Sequence, residues 1–85
     1  MVAPVDVVGS RVELVEVLKD TGVDGFALAR LRDFGRERVG LRWNGGEGGK
    51  GAPTVNGRPQ WFLLPDEVAG VLITHYRPGA SIRAA

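Results

Sequence analysis

His75 is the only histidine in the chain, and there is no cysteine. A metal centre needs several nitrogen, sulfur or carboxylate ligands at once, so one imidazole beside an apolar stripe is not enough to make one. Ser10 reads as a helix cap and Ser81 falls in the C-terminal tail, leaving a serine–histidine–acid triad without members. Asp66 and Glu67 could in principle share acid–base work. They follow Pro65, however, at a point where carboxylates complement the positive end of a helix dipole. We therefore assign no catalytic residue, no metal ligand and no cofactor, and expect a protein that is not an enzyme.

Gly46-Glu47-Gly48-Gly49-Lys50-Gly51 matches the letters G-x-G-x-x-G. A dinucleotide site needs a helix to open at the third glycine, because the phosphate rests on that helix's N-terminus. Ala52-Pro53 and a turn follow instead. As a P-loop the stretch also fails, with Asn44 in place of the first glycine and Gly51 where a hydroxyl should hold magnesium. Six of the thirteen glycines lie within 44–57. Ordering such a backbone is entropically costly, and the segment reads as a mobile glycine-rich loop.

The arginines are more informative. Net charge is +1, but the first 24 residues are acidic and the middle of the chain is basic. Arg30, Arg32, Arg38, Arg42, Lys50 and Arg58 are the candidate contacts for nucleic acid or a protein partner. Guanidinium groups suit planar anions, because the fork donates parallel hydrogen bonds. If Val39, Leu41 and Trp43 of a strand face the core, Arg38 and Arg42 face outward, with Arg58 and Gln60 nearby, and such a sheet face can grip phosphates. The expected function is a small non-enzymatic binding module, with nucleic acid held on this arginine-rich sheet face. The alternative is protein–protein interaction, as a self-assembling, accessory or inhibitory protein.

The elements that position these residues follow from spacing. Ser10 and Glu13 have capping-box spacing, and Val12, Leu14, Val15 and Leu18 make a helical stripe, which predicts a helix over 10–20 that ends at Gly22. Val68, Val71, Leu72 and Tyr76 predict a second helix over 65–76, stopped by Arg77-Pro78-Gly79. Arg38–Trp43 alternates as a half-buried strand, and Gln60–Leu64, apolar on both faces, reads as a central strand. Asn44-Gly45 and Asn56-Gly57 mark turns. The fork lies at 26–34. Alanine, leucine and arginine favour helix there, while period-2 spacing puts Ala27, Ala29 and Leu31 on one strand face.

Read as a strand, this segment gives an α+β fold, a small αβββα domain whose three-stranded antiparallel sheet has two helices packed on one face. That order is similar to double-stranded-RNA-binding domains in topology only. Those domains present lysines where this chain has Pro65-Asp66-Glu67, so their function does not transfer. Read as a helix, the segment gives a helix-turn-helix through Gly22, followed by a two-stranded wing and a C-terminal helix.

The whole is one domain of 85 residues, with 44% apolar and 25% charged residues, close to an ordinary globule. The ends, 1–9 and 78–85, are expected to be loose. No apolar run suits a membrane span, and the opening residues lack the basic and apolar regions of a secretory leader, so a cytoplasmic location is expected. A small core without disulfide or metal support also makes a homodimer a reasonable expectation.

Overall fold

A computed structural model describes residues 1–7 and 12–78. A short 3-10 turn at Pro4–Asp6 is followed by the strands β1 (Val12–Asp20), β2 (Phe26–Asp33) and β3 (Arg36–Trp43). Two small strands, β4 (Thr54–Val55) and β5 (Arg58–Pro59), make a hairpin of their own, and β6 (Phe62–Leu63) precedes the helix α1 (Asp66–Tyr76). The main sheet is antiparallel, in the order β1-β2-β3-β6.

This corrects the αβββα expectation and the helix-turn-helix alternative together. The sheet has four strands and α1 is the one α-helix among the described residues. Residues 12–20 are extended, and Ser10 of the expected cap lies outside the described residues. Val12, Val15 and Val17 are β-branched and favour a pleated surface. Two irregularities hide the strand's period. Partner register slips between Leu14 and Glu16 and again between Val17 and Lys19. Val15 and Leu18 are thus extra residues of β-bulges, and each bulge resets the alternation. Leu14 consequently packs on one face of the sheet and Leu18 on the other. The resulting spacing imitates a helix. Without an N-terminal helix, the similarity to double-stranded-RNA-binding domains lapses.

Residues 26–33 form a strand in regular register with β3, from Phe26 opposite Trp43 to Asp33 opposite Arg36. The Phe34-Gly35 loop between them has positive φ at both positions, +51° and +77°, the geometry of a type I′ hairpin. The expected central strand at 60–64 is instead a two-residue edge strand, paired with β3 only at Gly40 and Leu41.

Both faces of the sheet are covered. On one, Leu18, Leu28 and Val39 pack with Leu64, Ala69 and Ile73, and Phe26, Leu41, Leu72 and Tyr76 surround them. Val68 and Val71, expected on the packed face of α1, are exposed because the helix seats on Ala69 and Ile73. On the other face, Ala27, Ala29 and Gly40 leave a shallow floor for Trp61. Its indole N–H donates to the Val7 carbonyl at 3.1 Å. Val7 is buried, and the Val2 amide donates to the Asn44 carbonyl at 3.4 Å, so the described N-terminal residues form part of this second layer.

The glycine-rich segment is tied at several points. Trp43 and Ala52 exchange backbone hydrogen bonds, and the Asp24 amide donates to Gly45. Asn44 is fully buried; its side-chain amide donates to Asp20 Oδ1 at 2.9 Å and to the Gly22 carbonyl at 2.8 Å. That side chain joins the β1–β2 turn to the start of the glycine-rich segment.

Candidate interaction surface

The sheet divides the candidate arginines rather than collecting them. Register puts Arg30 and Arg32 on the α1 side, whereas Arg38 and Arg42 point to the Trp61 side. Arg30 lies between two acids, with Nη1 at 3.4 Å from Glu16 Oε1 and Nη2 at 3.1 Å from Glu37 Oε1. Arg32 meets Glu13 across β1 and β2 at 3.5 Å. Arg38 donates to the Leu64 carbonyl at 3.1 Å. Of the six residues singled out, only Lys50 and Arg58 stand exposed without a carboxylate partner among the described residues.

Other basic residues close the fold in the same manner. Arg36 pairs with Asp66 at the start of α1, and Arg77 Nε donates to Glu16 Oε2 at 3.0 Å from its far end. The Arg77 hydrogen bond, helped by Arg30, outweighs partial desolvation and holds the Glu16 carboxyl below its ordinary value. These pairs span β1, β2, β3 and α1. They consume the cationic surface that composition alone suggested.

Arg42 is the most unusual of the set. It is 1% exposed. Its Nη1 donates to the Gln60 carbonyl at 2.7 Å and its Nη2 to the Lys50 carbonyl, so the guanidinium braces both ends of the segment that carries β4 and β5. No carboxylate lies within salt-bridge distance among the described residues, and Nε is buried without a partner. Burial pushes its pKa below the usual arginine value. A desolvated cation satisfied only by carbonyl dipoles is screened by solvent and salt much less than an exposed one.

The feature that sequence reasoning missed lies at the opposite end of the sheet from the Phe34 hairpin. Phe62 is opposite Leu41 on β3, and Trp43 is opposite Phe26 on β2. All four project from the α1 side. The helix covers Leu28 and Val39 and leaves Trp43 and Phe62 each 57% exposed. Phe26 supports Trp43 edge-on, with ring centroids 6.3 Å apart. Leu41, Trp43, Ala52, Pro53 and Phe62, with part of Arg42, line an open depression of about 240 Å³. The available signal was Trp43 at the end of an alternating strand. Assigning it to the core hid that signal, because nothing local says where a helix stops covering a sheet.

The described residues hold no group of three or more histidine, cysteine or acidic side chains that could bind a metal ion. No described helix is long and apolar enough to cross a membrane. His75 is exposed and stacks edge-on against Tyr76, with centroids 4.7 Å apart. Comparison with protein-family models, curated proteins and solved structures finds no match.

Proposed function

We propose that this chain is a non-enzymatic interaction module that binds a protein partner through the surface formed by Leu41, Trp43, Pro53 and Phe62. One observation carries the reading: two large aromatic side chains, each more than half exposed, wall a single apolar depression. Monomeric proteins seldom leave such groups together in water unless something covers them, and tryptophan and phenylalanine are common anchors of interface cores. Small-molecule sites usually enclose roughly 300–1,000 Å³ and converge several polar groups. This depression is smaller and open, and its lining is overwhelmingly apolar. It suits one inserted side chain.

An arginine-based phosphate surface has less support. Arg30 and Arg32 are neutralised by carboxylates, and Arg38 and Arg42 donate to backbone carbonyls. The test is affinity purification from the source cells with wild type, Trp43→Ala and Phe62→Ser, each with and without nuclease. A protein retained by wild type, lost from both variants and indifferent to nuclease is the expected result. Identical retention by all three, or retention abolished by nuclease, overturns the reading.

A further inference from the structure

We infer that the partner segment is acidic, presenting one large apolar side chain to the Trp43–Phe62 depression and carboxylates to Lys50 and Arg58. The inference rests on the proposed protein-binding surface and adds the chemistry of what that surface accepts.

Cations around the depression differ from those elsewhere in how they are paired. Arg30, Arg32, Arg36 and Arg77 are each paired with carboxylates of the same fold. Among the described residues, the exposed cations without such a pair are Lys19, on the outer strand β1, and the two beside this surface, Lys50 and Arg58. The β4–β5 hairpin rises directly from Pro53, a wall of the depression, and Arg58 lies on its return strand opposite Val55. The Lys50 ammonium reaches this hairpin as well, 3.5 Å from where a β-carbon on Gly57 would stand. The strands are two residues long, so both charges lie within about 10–15 Å of the apolar wall.

Arg42 adds to this field from below. Its guanidinium holds the Lys50 and Gln60 carbonyls at the base of the same segment and has no carboxylate partner. Three positive groups therefore sit along residues 42–58 around one apolar depression. Glu47 and Asp24 are the nearby acids. The Asp24 carboxylate lies beside Gly46, whose carbonyl accepts from the Met1 ammonium, a cation that offsets it, so Arg42, Lys50 and Arg58 stand against the exposed Glu47 alone. An anionic partner raises the encounter rate with such a site, while a cationic one is repelled.

Single-stranded nucleic acid is also anionic and stacks on aromatic rings, but it would need a charged track along its backbone. Here the two exposed cations, Lys50 and Arg58, both lie at the β4–β5 hairpin rather than in a track along the sheet, and the depression is lined by Leu41, Ala52 and Pro53 as well as by the two aromatic rings. A peptide with one anchor and flanking acids matches both features.

The test selects a random peptide display library on the full chain, with counter-selection on Trp43→Ala. Phe62→Ser serves in its place should Trp43→Ala fail to fold by circular dichroism. Selected peptides are then titrated by the change in tryptophan emission, beside an oligouridylate and the protein alone in sedimentation. The expected result is enrichment of sequences with a large apolar residue flanked by aspartate or glutamate. Binding should weaken about tenfold or more in a Lys50→Glu, Arg58→Glu double variant and fall as salt rises. Trp43-dependent peptides without acidic flanks, bound equally by the double variant, overturn this inference and leave the protein-binding surface standing. No Trp43-dependent peptide, tighter binding of oligouridylate, or dimerisation that buries Trp43 overturns both.

Discussion

Replacing Gly40 by alanine probes the contact that closes the second face of the sheet. A β-carbon there would stand 2.5 Å from Leu31 Cδ1, 2.9 Å from Trp61 Cβ and 3.0 Å from Trp61 Cε3. Leu31 is itself fully buried, and Trp61 is held by its hydrogen bond to Val7. Neither neighbour can turn away into solvent. Overpacking of this kind costs about 1–3 kcal/mol, while exchanging glycine for alanine within a strand returns roughly 0.5–1 kcal/mol. The net expectation is a loss of up to about 2.5 kcal/mol, centred on about 1 kcal/mol, and for a domain of this size each kcal/mol lowers Tm by about 4–8 °C. Thermal unfolding followed by circular dichroism and by tryptophan emission measures it. Gly70→Ala provides the contrast, because its β-carbon would meet nothing within 4 Å on α1. That helical substitution should stabilise by up to about 1 kcal/mol. A Gly40→Ala protein that melts at or above the wild-type temperature refutes the reasoning.

Other outcomes follow from the turns and the buried polar groups. Phe34 occupies the first position of a type I′ turn at φ +51° and is 73% exposed, whereas Asn56 takes the same φ in the β4–β5 hairpin. Gly35→Ala, at the second position of that turn with φ +77°, should lower stability by about 1–2 kcal/mol in urea denaturation. Asn44→Ala strips the Gly22 carbonyl and Asp20 of a buried donor and should cost about 1–3 kcal/mol. Amide exchange should then accelerate at residues 22–25 and 44–46 before the rest of the sheet. Glu16 has a lowered folded pKa, so its contribution is present above the unfolded carboxylate value of about 4.3 and is lost as pH falls through the folded value. Glu16→Gln should therefore flatten the acid limb of a stability–pH profile and leave the slope near neutrality unchanged.

Much of the local structure was readable. Ala27, Ala29 and Leu31 share a sheet face, as period-2 spacing requires, and α1 begins after Pro65 with Asp66 and Glu67 in its first turn. Asn56-Gly57 turns a hairpin. What failed was the reading of β1, where Val15 and Leu18 are inserted by bulges and bring valine and leucine into a helix-like stripe. The site failed for a different reason. Arginine spacing along one strand says nothing about acids on its neighbours, and Glu13, Glu16 and Glu37 reach Arg30 and Arg32 only through sheet register. Arg42 shows the same limit: alternation placed it on the side away from Val39, Leu41 and Trp43, but nothing in the sequence showed that this side lies beneath Trp61 and the 50–60 segment.

The two coverings of the sheet have a kinetic consequence. β1, β2 and β3 are joined by short turns and can zip by local closure. The bonds that seal their faces are remote, with Trp61 and Val7 separated by 54 residues and Arg77 and Glu16 by 61. Closing loops of that length costs roughly 2–3 kcal/mol more entropy than closing a hairpin. The meander should therefore assemble first and wait, greasy on both sides, for the two ends of the chain to arrive. Substitutions at the Trp61–Val7 and Arg77–Glu16 contacts should speed unfolding and leave the refolding rate almost unchanged.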